Sequence, residues 1–100
     1  MARSTNAKIK IENVLQPGKT YSADPVKYEA MKKAVLAVLP KTSPGLTVAE
    51  VQDRVLAHLP EDLFPGGAKS GWWMKAVQLD LEAKHIIKRE KASPIRLYKS

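Results

Sequence analysis

The chain has 100 residues, a formal net charge of +7 and no cysteine. This length suits one domain with an ordinary apolar core. The absence of cysteine excludes disulfides, thiolate zinc sites and a cysteine nucleophile. No run approaches the roughly 20 apolar residues that a membrane span needs, so we expect a cytoplasmic protein that does not contact the membrane.

The basic charge is concentrated at the two ends of the chain. Residues 1–20 hold four basic residues against one acidic, and residues 84–100 hold six against one. The segment between them holds seven basic residues against eight acidic. Such a distribution is typical of proteins that bind polyanions, and equally of a solvated surface that keeps a protein soluble.

Residues 1–22 are predicted to form a basic arm ahead of a domain that spans residues 23–100. Ile9 and Ile11 alternate with charged neighbours, which is the period-two pattern of a strand with one buried face. Pro17-Gly18 then predicts a turn. We expect this strand to pair with a C-terminal hairpin, to lie across the helices, or to exchange onto a neighbouring chain.

Two helices are predicted next, each with a clear start signal. Asp24-Pro25 combines a capping carboxylate with a proline at the first helical position, and Pro40 ends the apolar pattern that follows. Thr47 and Glu50 have the spacing of a capping box, which predicts a second helix from Thr47 to Leu59.

A third helix is predicted from Ser70 to Lys84, and it is apolar on two sides. One side carries Trp73, Met74, Val77 and Leu81, the other Trp72, Ala76, Leu79 and Ala83, with a narrow polar strip of Lys75, Gln78 and Glu82 between them. A helix of this kind is usually covered on both sides. We expect one side to meet the first two helices. The other side should meet the arm, the loop at Leu63-Phe64 or a second subunit.

The chain ends in two short β-prone runs, Ile86–Glu90 and Ile95–Lys99, which predict a basic hairpin. Leu46 is expected to add a one-residue bridge to this hairpin. The predicted fold class is therefore α+β, mainly α. It comprises a three-helix core, a C-terminal β-hairpin wing and an N-terminal strand-like arm.

The segment Leu79–Arg89 resembles the end of the recognition helix and the start of the wing in bacterial winged-helix regulators, with His85 where such sequences often carry glycine. Phe64-Pro65-Gly66-Gly67 and Gly71-Trp72-Trp73 extend the resemblance to a small, uncharacterised bacterial winged-helix family. The resemblance covers most of the chain and implies the helix-turn-helix class of fold. It implies no activity.

For DNA, the resemblance places the third helix in the major groove and a basic set along the backbone or the minor groove: Lys88, Arg89, Lys91 and Arg96. The polar residues expected to face the groove are Lys69, Lys75 and Gln78. Asp80 and Glu82 would repel phosphate, and tryptophan is an unusual groove-facing residue. Double-stranded DNA is the predicted partner. The alternative is a protein-interaction or dimerisation module that uses Trp72, Ala76 and Leu79 and binds no nucleic acid.

No catalytic constellation is visible in the sequence. His58 and His85 have no ligand set or nucleophile near them in sequence. The stretch Gly66–Ser70 lacks the full spacing of a phosphate-binding loop. We therefore expect no enzyme activity, no cofactor and no metal.

Overall fold

The computed structural model describes residues 8–90 and 94–99, which form three helices and two small antiparallel sheets. The helices are α1 (Pro25–Val38), α2 (Val48–Val55) and α3 (Ser70–Ala83), and the strands are β1 (Ile9–Glu12), β2 (Thr20–Ala23), β3 (Leu46–Thr47), β4 (Ile87–Glu90) and β5 (Arg96–Lys99). Short 3-10 turns span Leu56–His58 and Pro65–Gly67. The predicted α+β class is confirmed at this level.

The start signals of α1 and α2 act as predicted. The Asp24 carboxylate accepts hydrogen bonds from the first-turn amides of Val26 and Lys27, and a proline occupies the first turn. In α2 the Thr47 hydroxyl accepts from the Glu50 amide at 3.1 Å, and the Glu50 carboxylate accepts from the Thr47 amide at 2.9 Å. These bonds satisfy amides that have no partner within the helix. The helix α2 is shorter than predicted because its last residues form a 3-10 turn.

The predicted N-terminal strand is one half of a hairpin, which we call the N-terminal hairpin (β1 and β2). Ile9 lies opposite Ala23 and Ile11 lies opposite Tyr21. Of the three expected placements, the hairpin lies across a helix, because the Val14 amide donates to the Leu79 carbonyl of α3. The second strand of this hairpin was not predicted.

The C-terminal hairpin (β4 and β5) forms as expected and belongs to a three-stranded sheet in the order β3-β5-β4. Leu46 pairs with Leu97, so the predicted bridge is present as a two-residue strand. Gly45 just before it has φ +84°, and a Cβ there would lie 2.0 Å from the Leu97 carbonyl oxygen. Only glycine fits this turn without displacing β5.

The core lies between the helices and the inner faces of both sheets. The α3 side that carries Trp73, Met74, Val77 and Leu81 is buried, as predicted. Phe64 fills the core from the loop before α3. Ile11 of the N-terminal hairpin and Leu97 of the C-terminal hairpin complete the same cluster.

Candidate interaction surface at the start of the third helix

The second half of α3 is enclosed on every side. All residues from 77 to 82 are buried, including three that carry polar side chains: Gln78, Asp80 and Glu82. Buried carboxylates are costly unless they are paired and hydrogen-bonded. The contacts of Asp80 and Glu82 therefore identify the elements that pack against the second half of α3.

Asp80 joins the N-terminal hairpin to α1 and α3. Its side chain is 0% exposed and accepts hydrogen bonds from the Glu12 amide at 2.8 Å, from the Tyr28 hydroxyl and from the Lys84 ammonium at 2.8 Å. Burial of the phenol, followed by its hydrogen bond to Asp80, raises the pKa of Tyr28 well above its ordinary range. The Tyr28 phenol therefore stays protonated and donates to the carboxylate.

Glu82 joins α3 to the C-terminal hairpin. Its oxygens accept from the Arg89 guanidinium at 2.6 and 3.0 Å, which is a bidentate pair, and from the Gln78 amide at 2.8 Å. The hydrogen bond to Glu82 raises the pKa of Arg89. The Gln78 side-chain oxygen is buried without a hydrogen-bond partner among the described residues.

Burial corrects part of the predicted DNA surface. Gln78 was expected to face a groove, but it is 2% exposed and its amide is directed at Glu82. Asp80 and Glu82, expected to repel phosphate from the surface, are buried and paired. Asp80 and Glu82 meet the two hairpins, which supply the partners that a helical pattern alone does not reveal.

The other predicted DNA-binding residues that the structure describes are either exposed lysines or arginines that contact other groups of the protein. Lys69, Lys75 and Lys88 are exposed. Arg89 is held by Glu82, and Arg96 donates to the Gly45 carbonyl at 3.1 Å and lies 3.9 Å from the Glu50 carboxylate. Lys91 lies outside the described residues.

A groove lies between the N-terminal hairpin and the first turns of α3. Its volume is about 330 Å³, at the lower end of the range for ligand pockets. The hairpin side contributes Ile11, Glu12, Asn13 and Tyr21, and the helix side contributes Gly71, Trp72, Lys75, Ala76 and Leu79.

Trp72 lines this groove and is largely exposed to solvent. It is 60% exposed, whereas its neighbour Trp73 is 7% exposed, although the two ring centroids are 5.0 Å apart in an edge-on arrangement. Tyr21 across the groove is 44% exposed. Two large aromatic side chains therefore face solvent on either side of one cleft.

The interaction face predicted from the sequence is covered in part. The hairpin buries Leu79 and half-buries Ala76, as expected for an arm that covers α3, while Trp72 stays open. Tyr21 was not predicted as a groove residue because β2 was not predicted, and Asn13 was not predicted because it lies in the connection after β1. The alternation of polar Thr20 and Ser22 with Tyr21 and Ala23 is the sequence signal that could have revealed the strand.

The described residues contain no group of three or more histidine, aspartate or glutamate side chains placed to hold a metal ion. His58 and His85 are both exposed. Among the helices that the structure describes, none is long and apolar enough to cross a membrane.

Comparison with known proteins places the chain in a family. Searches of the curated proteins and of the solved structures found no match. A family model described as "Family of unknown function (DUF6958)" matches residues 8–97, which is most of the chain. The chain therefore belongs to this family of unknown function.

Proposed function

We propose that the protein is a non-enzymatic interaction module that receives an apolar side chain of a protein partner in the groove beside Trp72. The main support for this proposal is that Trp72 is exposed beside a cleft whose floor is Ala76, Leu79 and Ile11. Exposed aromatic side chains at clefts are frequent anchors of protein interfaces.

We also propose that the fold is a winged helix, in which the C-terminal hairpin is the wing. Three helices followed by a hairpin, with β3 added to form the order β3-β5-β4, support this assignment. His85 has φ +63°, at the position where the resembling sequences often carry glycine. This left-handed conformation favours glycine, which agrees with the resemblance.

The burial of α3 favours a protein partner over DNA. A helix that reads the major groove presents side chains to base edges along its exposed face. Here the exposed positions of α3 are confined to its first turns, and residues 77–82 are buried. One of the two arginines expected on the wing, Arg89, is engaged by Glu82.

The rim of the groove indicates the chemistry of the partner. Lys75 and Glu12 supply one charge of each sign, and Asn13 supplies an amide. The floor is apolar. We therefore expect a segment with one leucine, phenylalanine or tryptophan side chain flanked by polar residues, with no strong preference for a charged segment.

A titration followed by amide chemical shifts tests this proposal. Peptides of the form Ser-Gly-X-Gly-Ser, with X as leucine, phenylalanine or tryptophan, are added to labelled protein, and X as serine is the matched control. Shifts confined to Trp72, Ala76, Leu79 and Tyr21, and absent with the serine peptide, support the groove. No shifts, or shifts spread over other surfaces, contradict it.

DNA binding is the second candidate, and exposed lysines favour it. Lys69, Lys75 and Lys88 are exposed, and no carboxylate among the described residues lies within ion-pairing distance of them. If they contact phosphates, changing all three to glutamine should weaken binding to every duplex and reduce the salt slope by about 1 unit per lost contact. Fluorescence anisotropy with a random duplex across a salt series measures this, and an unchanged slope argues against the surface.

A further inference from the structure

The N-terminal hairpin has one covered edge and one open edge. On the covered edge, the amides of Glu12 and Val14 donate to Asp80 and Leu79 of α3, at 2.8 and 3.3 Å. Within residues 8–90 and 94–99, β2 pairs only with β1, so no strand lies along its other edge. An open sheet edge is a template for pairing with another chain.

The groups on the open edge follow from the alternation of antiparallel strands. Glu12 directs its N–H away from β2, so its register partner Thr20 directs its N–H and C=O away from β1. The same holds for Ser22, two residues further on. The open edge therefore presents the backbone donors and acceptors of Thr20 and Ser22.

The strand β2 lacks the features that usually protect an edge. Its residues Thr20–Ala23 include no charge and no proline, its pairing with β1 has no bulge, and three of the four are exposed. By contrast β4, an outer strand of the other sheet, carries Lys88, Arg89 and Glu90. An uncharged edge can pair with a second copy without placing like charges opposite each other. Among the described strands β2 is the longer of the two uncharged outer strands, because β3 has only Leu46 and Thr47.

We infer that a second copy of the chain binds this edge by antiparallel β2–β2 pairing about a two-fold axis. Two-fold symmetry places Thr20 of each copy opposite Ser22 of the other, so that the outward backbone groups of both pair. Tyr21 then faces Tyr21 of the second copy on the axis. This is a non-hydrogen-bonded pair, in which side chains approach most closely, and aromatic pairs there stabilise a sheet.

The inference goes beyond the proposed function and does not depend on it, because the edge backbone makes the contact. Tyr21 also lines the groove, so the dimer places two grooves side by side. A partner with two apolar side chains would then bind both grooves and gain from the raised effective concentration.

Cysteine scanning tests the register, because the natural chain has no cysteine. Tyr21→Cys should form a disulfide-linked dimer at least about tenfold faster than Thr20→Cys or Ser22→Cys, since only residue 21 meets its own copy at a distance that a disulfide spans. Equal rates for the three variants would overturn the register. Reduction should return each variant to the behaviour of the unmodified chain.

Sedimentation equilibrium over a range of concentrations tests the dimer itself. The unmodified protein should dimerise, and Ser22→Pro should be monomeric because proline removes an outward N–H without touching the bonds to β1. Ser22→Ala keeps that N–H and should dimerise.

If Ser22→Pro fails to fold, Tyr21→Lys, which places two ammonium groups on the axis, should give the monomer. An unmodified protein that stays monomeric overturns this inference, while groove shifts with the peptides would leave the proposed function standing.

Discussion

The two hairpins are attached to α3 by neighbouring carboxylates in different ways. Asp80 holds the N-terminal hairpin through a main-chain amide, that of Glu12, and Glu82 holds the C-terminal hairpin through the side chain of Arg89. The first attachment tolerates any hairpin residue that leaves the backbone in place. The attachment through Glu82 requires a guanidinium. Arg89 of the basic C-terminal hairpin is therefore paired with Glu82 and is not free to bind a polyanion.

The largest expected effect is the loss of the first attachment. Asp80→Ala should lower the free energy of unfolding by about 3 to 5 kcal/mol, because it leaves the buried Tyr28 hydroxyl and the Glu12 amide without an acceptor. Urea denaturation measures this. Hydrogen exchange should show early loss of protection at Glu12 and Val14, with the amides of β4 and β5 less affected. Equal loss in both hairpins would contradict their separate attachment by Asp80 and Glu82.

A change between the two carboxylates serves as a reference. Leu81 is fully buried, so Leu81→Ala should cost about 2 to 5 kcal/mol and loosen both hairpins alike. Lys75→Ala on the exposed side should change the unfolding free energy by no more than about 0.5 kcal/mol. If urea denaturation shows similar losses of unfolding free energy for the two variants, α3 is rotated about its axis relative to the structure.

A smaller effect is expected at the second attachment. Arg89→Met should cost about 1 to 3 kcal/mol, because Glu82 loses its bidentate partner but gains access to water when the partly exposed arginine is removed. Arg89→Lys should recover only part of the loss, since an ammonium cannot form both bonds in the same geometry. Full recovery with lysine would show that charge alone, and not the paired hydrogen bonds, holds the C-terminal hairpin.

The smallest effect concerns pH and the capping box of α2. The backbone hydrogen bond from Thr47, followed by the hydroxyl of the same residue, lowers the pKa of Glu50. A lowered folded-state pKa contributes stability that is present above the ordinary pKa of about 4.5 and is lost as the pH falls through the lower folded value. Glu50→Gln should therefore lose less stability than the unmodified protein between about pH 5 and pH 3. If the unfolding free energies of the two proteins, measured by urea denaturation, fall in parallel over this pH range, the prediction is contradicted.

Most of the helices and strands could be predicted from the sequence, because their signals are local. Asp24-Pro25, the Thr47 and Glu50 pair and the β-prone runs at the C terminus each act within a few residues, and each forms the expected element. The strand β2 was missed because Thr20–Ala23 is short and has only one buried residue. Its existence depends on pairing with β1, which is eight or more residues away.

The candidate site was harder to predict because it depends on distant parts of the chain. Asp80 and Glu82 appeared to be surface charges, since their partners Glu12 and Tyr28 lie more than fifty residues earlier and Arg89 follows only after a turn. Once the hairpins are in place, Gln78, Asp80 and Glu82 are enclosed. Only Trp72, of the predicted interaction face, stays exposed.

The two adjacent tryptophans allow a direct test that α3 is open in its first turns and enclosed in its second half. Acrylamide quenching is measured on Trp73→Phe, which retains Trp72, and on Trp72→Phe, which retains Trp73, at a concentration where light scattering shows the monomer. We expect red-shifted, strongly quenched emission from Trp72 and blue-shifted, weakly quenched emission from Trp73. Equal quenching of the two, or a protected Trp72 in the monomer, would contradict it.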